Sequence, residues 1–183
     1  MKDALTIHRA LLERETQHEI VRLPRAVAHA DELPRALGLP ADRCLVTRVY
    51  ACDDVHRGRG FLTGVVVAAG ERPRTDVVRL GVGARTVRPA RADLVNAATE
   101  YAAGLVCPLL LPPAMPLLMD QRIIDGLAID DVVYTATGEP STALGIRALD
   151  LYALSGAKPV HLFGPGPRPP ARRMRAEPRH PVG

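Results

Sequence analysis

At 183 residues the chain is long enough for one good hydrophobic core and short for two. Aromatic residues make up 3% with no tryptophan, so packing must rest on Val, Leu, Ala and Ile. The net charge of +4 does not mark a nucleic-acid-binding face: in the tail, residues 164–183, five arginines stand against the single acid Glu177, and the remainder of the chain is neutral. The first residues, MKDALTIHRALLERE, carry charges throughout and lack the apolar stretch and small-residue cleavage site of a secretory signal. Cys44, Cys52 and Cys107 form no CxxC pair and no disulfide framework. A soluble cytoplasmic protein is the expectation.

Taken in chain order, residues 4–16 place Leu5, Leu11 and Leu12 with Ala4 and Ile7 at helical spacings and predict an amphipathic helix. HEIVRLP, residues 18–24, reads as a strand stopped by Pro24. ADELPRALGL then predicts a short helix, with Asp31 as its cap and Gly38 at a left-handed C-terminal position. CLVTRVYAC, residues 44–52, is a strand with Leu45, Thr47, Val49 and Ala51 on one face and Val46, Arg48, Tyr50 and Cys52 on the other. After a turn at DDVHRGRG, the almost wholly apolar FLTGVVVAAG predicts a strand buried on both faces, paired with the previous one as a hairpin.

Further on, a helical turn is expected at 76–82, a strand at 84–89 and a helix at 90–103. Strands follow at 115–119 and at DVVYTA, then a glycine turn at Gly138, a short strand at 143–145, a helix at 147–155 and the strand KPVHLF. The Gly-Pro-Arg composition from residue 164 cannot support a core and predicts a disordered basic tail behind a single domain of residues 1–163. Helices mixed with several short strands point to an α/β protein built on one curved mixed sheet. Neither GxGxxG after a strand nor GxxxxGK[ST] is present, which excludes nucleotide sites of those types.

AAGLVCPLLLPPAMPLLMD, residues 102–120, is the least ordinary stretch. It is almost wholly apolar, yet Pro108, Pro112, Pro113 and Pro116 exclude both a membrane-spanning helix and a long buried one. What remains is an ordered loop feeding a short buried strand closed by Asp120. Within it, GLVCP is a GxxxP segment in which glycine lets a ligand approach the backbone closely. Successive N–H groups in such a turn can hold a carbonyl oxygen or a developing oxyanion, and the prolines that follow stiffen the presentation.

Other chemistries find little support. The histidines at 8, 18, 29, 56, 161 and 180 show neither HExxH nor HxH, so they read as surface or turn residues and no metal is expected. Ser141 and Ser155 are the only serines, and neither sits in GxSxG. Cys107 reads as a small apolar filler of a tight loop. Arg48 reads as part of a solvated face or as one member of an ion pair, and Asp120 as the cap of the helix that begins QRII.

The order HEIVRLP, ADELPRALGLPADR leading into a strand, GLVCPLLLPPAMPLLMD, DDVVYTATGEPSTALGI and RALDLYALSGAKPVHL resembles the YbaK family. These are prolyl-tRNA-synthetase-associated, aminoacyl-tRNA editing domains, and the resemblance spans residues 18–162. It implies a curved, barrel-like mixed sheet surrounded by helices, with no cofactor and no membrane or DNA partner. It also implies hydrolysis of the ester joining a wrong amino acid to its tRNA. In that family the GxxxP backbone holds the aminoacyl group while a water, assisted by the terminal ribose hydroxyl, attacks the ester carbonyl. Carried over, the substrate-binding residues are Gly104, Leu105, Val106, Cys107, Pro108 and Asp120.

Two departures stand out. The family lysine falls on Val46, with Arg43 and Arg48 as the nearby cations; Arg48 shares its face and is the catalytic candidate to substitute for the lysine, although a planar guanidinium does not simply replace an ammonium. Leu105 and Leu110 stand where many members carry glycine. Two readings therefore remain at this point: a trans-editing deacylase acting on mischarged aminoacyl-tRNA, and a binding module of the same fold that has lost hydrolysis.

Overall fold

The computed structural model describes residues 1–54, 58, 60–128 and 130–164. The middle of the turn expected at DDVHRGRG and nearly all of the basic tail lie outside them. Helix α1 (Ala4–Leu12) starts at Asp3, whose carboxylate accepts from the Thr6 amide at 2.8 Å. It ends before the expected residue 16 because Glu15 turns left-handed (φ +51°), which no side-chain pattern announces. Strand β1 (His18–Arg22) follows.

A 3-10 turn at Ala30–Glu32 then leads into α2 (Leu33–Leu37). Here the expected Asp31 cap is absent, and α2 has no side-chain cap hydrogen bond. The Glu32 carboxylate accepts from the amides of Ala28 and His29 at 2.9 and 3.0 Å, leaving Asp31 to face the sheet. Gly38 closes α2 in the left-handed conformation expected of it.

Strands β2 (Cys44–Asp54) and β3 (Gly60–Ala68) form the expected antiparallel hairpin, with Leu45 opposite Ala68 and Asp53 opposite Gly60. Burial on both faces follows the strand alternation: Val66 joins Leu45 in one cluster, while Val65 and Val67 join Tyr50 and Cys52 in another. Next come α3 (Thr75–Val82), β4 (Ala84–Pro89) and α4 (Ala92–Thr99). Helix α4 falls short of the expected residue 103 because Glu100 adopts φ +61°. The chain continues through β5 (Leu117–Asp120), α5 (Gln121–Gly126), β6 (Val132–Ala136), β7 (Thr142–Arg147), α6 (Ala148–Ser155) and β8 (Lys158–Val160).

The strands make one eight-stranded mixed sheet in the order β1-β7-β6-β2-β3-β5-β8, and β4 also pairs with β2. The mixed α/β architecture expected from the sequence is therefore present. Pairing along β2 is divided. Cys44 and Leu45 run parallel to β6, whereas Tyr50–Asp54 run antiparallel to β4. Residues 46–49 retain β3 on one edge and, among the described residues, have no strand partner on the other. This interruption positions the candidate site.

Among the described residues, no helix is long and apolar enough to cross a membrane.

Candidate functional site

A cleft of about 350 Å³ opens where β6 and β4 part from β2. Its floor is Val46–Tyr50 of β2. His29 and Asp31 come from the 3-10 turn, Arg72 and Pro73 from the segment after β3, Ala92 and Val95 from α4, and Gly104 and Val106 from the apolar loop. Val46, Val49, Ala92, Val95 and Val106 supply aliphatic lining, and Arg48 and Arg72 gather on Asp31.

The loop solves a backbone problem before it serves a ligand. Its prolines supply no N–H, so its carbonyls need donors from elsewhere. Lys2 Nζ donates to the Leu110 carbonyl at 2.7 Å, and the Tyr101 hydroxyl donates to that of Leu109 at 2.9 Å. Thr63 Oγ1 and the Gly64 amide each donate to the Pro116 carbonyl at 2.9 Å. The Ala30 amide donates to the Gly104 carbonyl at 2.8 Å, which ties the loop to the turn bearing His29. Held this way, Leu110 tolerates φ +57°, which is uncommon for a leucine.

Gly104 adopts φ +86°, and a Cβ there would lie 2.5 Å from His29 Nδ1 and 3.0 Å from the Ala28 carbonyl. Both the conformation and the space demand glycine. Of the loop amides, Ala103 N–H donates to Asn96 Oδ1 at 2.7 Å and Leu105 N–H to the Ala102 carbonyl at 2.9 Å. The Gly104 and Val106 amides make no hydrogen bond to another described group, and both residues line the cleft.

Arg48 is fully engaged. Its Nη1 and Nη2 donate to the two Asp31 oxygens at 3.1 and 2.8 Å, and its Nε donates to the Glu71 carbonyl at 2.6 Å. The Gly70 amide adds a further donor to Asp31 at 2.8 Å. Burial works to raise the Asp31 carboxyl, but the Arg48 hydrogen bonds, the Gly70 amide and the charges of Arg48 and Arg72 outweigh it and hold Asp31 below its ordinary value. Arg72 stands 3.5 Å from Asp31 with its side chain 73% exposed. One carboxylate thus faces two guanidinium groups, and the cleft wall keeps a net positive charge beside its apolar floor. Burial raises the Tyr50 hydroxyl, against the lowering effect of the same two arginines.

The residues singled out from the sequence divide. Arg48, Gly104 and Val106 come together at the cleft, with Val46, the position of the family lysine, on its floor. Leu105 is buried in a core cluster with Leu33 and Val46. Cys107 is wholly buried in the main cluster with Val66 and Met119. Pro108 lines a different cavity, of about 520 Å³, shared with α1 and the end of α6.

Asp120 caps α5, accepting from the Arg122 amide at 3.3 Å, and binds Arg122 Nε at 2.7 Å. With Glu71 it lines a third cavity of about 150 Å³. The Glu71 carboxylate also pairs with Arg122 at 2.7 Å, so Glu71 touches Arg48 through its carbonyl and Arg122 through its side chain. His29 and Arg72 belong to the cleft and were not singled out from the sequence. Their neighbours there, Gly104 and Asp31, are distant in the chain, and no local pattern could have flagged them. Among the described residues, no three His, Cys, Asp or Glu side chains gather as a cation site.

The aminoacyl-tRNA editing domain matches the chain over residues 24–154. None of the curated proteins compared matches it. Among solved structures it is similar to hypothetical protein APE2540, with a TM-score of 0.71 and 23% identity over 84% of this chain and 95% of that one. It is also similar to a protein assigned as a trans-editing enzyme for prolyl-tRNA synthetase, with a TM-score of 0.69 and 23% identity over 85% of this chain and 93% of that one. A scaffold protein used for epitope grafting gives a TM-score of 0.69 and 24% identity over 85% of this chain and 93% of that one. At such identities the structures speak for the fold, and the family rests on the match over residues 24–154: this chain belongs to the aminoacyl-tRNA editing domain family.

Proposed function

We propose that the chain is a trans-acting deacylase that cleaves the ester of mischarged aminoacyl-tRNA in the cleft beside Gly104. The observation that carries this reading is the pair Gly104 and Val106, which line the cleft and whose amides make no hydrogen bond to another described group, on a loop whose carbonyls are held by five donors. An ester carbonyl seated there would find two fixed donors, and the negative charge that grows on its oxygen during attack would gain more from them than the resting carbonyl does. Water adds to the carbonyl carbon, the tetrahedral intermediate collapses, and the bond to the ribose oxygen breaks to free the amino acid and the tRNA hydroxyl. Aliphatic walls at Val46, Val49, Val95 and Val106 would receive the amino-acid side chain, and Arg72 is exposed where a terminal phosphate could pair with it.

A second reading draws on a specific observation too. Val46 supplies no ammonium, and Arg48 is already matched by Asp31, so a binding module that retains aminoacyl-tRNA without hydrolysing it is favoured by that pair.

Purified protein incubated with a panel of tRNAs, each charged with a non-cognate amino acid, separates the two. Release of free amino acid that is lost in Gly104→Ala is the expected result. Retained tRNA binding with no release from any member of the panel would replace the enzyme with the module.

A further inference from the structure

Hydrolysis at this site needs somewhere for the water's proton to go, and the cleft offers few places. Arg48 and Arg72 are permanently protonated. Tyr50 has its hydroxyl raised by burial. Asp31 is ionised but already takes both Arg48 bonds and the Gly70 amide, with Arg72 alongside. Among the described residues lining the cleft, His29 carries the remaining side chain of a kind that can both accept and donate a proton in catalysis.

His29 is also held at the right place. Its Nδ1 lies so close to Gly104 that a Cβ on that residue would come within 2.5 Å of it. The bond from the Ala30 amide to the Gly104 carbonyl, at 2.8 Å, locks the histidine's turn to the loop carrying the two free amides. The charged groups that share the cleft with His29 are Asp31, Arg48 on β2 and Arg72 after β3, and the Glu32 carboxylate on its own turn interacts with both His29 and Arg25. Glu32 is committed to the His29 and Ala28 amides, which hold its carboxyl below the ordinary value.

Resting on the deacylase reading above, we propose that His29 is the catalytic base and acid of the reaction, in a site whose β2 strand presents Val46 and an Arg48 already paired with Asp31. A ring nitrogen of neutral His29 takes a proton from the water as its oxygen bonds to the ester carbonyl carbon. The resulting imidazolium then gives that proton to the ribose oxygen as the carbon–oxygen bond breaks. Water is consumed, the amino acid and the tRNA hydroxyl are released, and the imidazole returns to its neutral form. No other reactant is required.

The test is a pH–rate profile of single-turnover deacylation, using whichever charged tRNA of the panel the wild-type protein hydrolyses. His29→Asn is the main variant, because the residue sits at a helix-cap position with extended backbone that asparagine also favours, so folding is preserved. The wild-type rate is expected to rise across about pH 5 to 8, where imidazole side chains lose their proton, and then to level off.

His29→Asn should be slower by roughly 10²- to 10⁴-fold, with that rise abolished and tRNA affinity kept. Added imidazole should restore part of the rate to His29→Ala, a rescue that a purely structural role would not give. If His29→Asn retains a rate within about threefold of wild type together with the same profile, His29 is not the proton carrier and the deacylase reading stands without it. If wild-type protein hydrolyses no member of the panel at any pH, the deacylase reading and the role of His29 fall together.

Discussion

Arg48 and Asp31 meet as a two-bond pair on the wall of the cleft, Nη1 and Nη2 each on a separate carboxylate oxygen at 3.1 and 2.8 Å. All three nitrogens of the Arg48 guanidinium are thereby engaged in bonds within the fold. Arg48 braces the Asp31 turn, and through the Glu71 carbonyl it braces the segment after β3.

Replacing Arg48 with methionine should therefore act first on stability. Asp31, with its side chain 24% exposed, would lose its two strongest donors, at a cost of about 1–3 kcal/mol at neutral pH. Because the Asp31 carboxyl is lowered in the folded protein, its contribution is complete above the unfolded value near about pH 4 and is lost as pH falls through the folded value. Urea unfolding of both proteins across acid pH should show the gap closing as the solution becomes more acidic. A gap independent of pH would show that the pair contributes packing rather than charge.

Gly104→Ala forces a side chain into φ +86° and into contact with His29 and the Ala28 carbonyl. We expect a loss of about 1–3 kcal/mol in chemical unfolding and, at a temperature where the variant is still folded, loss of amino-acid release. An alanine variant with wild-type stability and rate would mean that the loop is not held as described.

The three cysteines should be inert in the native protein. Burial pushes the Cys107 thiol up to about 12, against the hydrogen bonds from the Leu109 backbone and Tyr101, and it pushes Cys44 and Cys52 up to about 11 each. Thiolate is the reactive form, so a thiol reagent at mildly alkaline pH should label none of them until denaturant is added. Cys107→Ala should leave release of amino acid intact, which excludes a thiol nucleophile. Fast native labelling of one cysteine would contradict its burial.

Asp120 offers a control outside the cleft. Asp120→Ala removes a helix cap and one partner of Arg122, so stability should fall by about 1–2 kcal/mol. The rate of amino-acid release by the folded variant should stay near wild type, because Asp120 lines a separate cavity with Glu71 and Arg122. A large loss of rate at full folding would tie the two cavities together through Glu71.

Local pattern carried much of the architecture. The alternation of CLVTRVYAC and the unbroken apolar run after it identify the β2–β3 hairpin, because side chains of a strand point alternately to two faces and here both faces are covered. Gly38 marks the end of α2 for an equally local reason. The ends of α1 and α4 were not legible: each is set by a glutamate, Glu15 and Glu100, in a left-handed conformation that glutamate rarely adopts and that surrounding contacts impose.

By itself, the sequence determined the hairpin and the order of family motifs, since these depend on residues close together in the chain. Tertiary structure alone decided the cleft. It depends on β6 and β4 parting along β2, on Asp31 turning from helix cap to ion-pair partner, and on His29 meeting Gly104 across 75 positions of chain. Such contacts arise from how a sheet curves and where loops are tied, and the spacing of residues along a chain does not encode them in any local pattern.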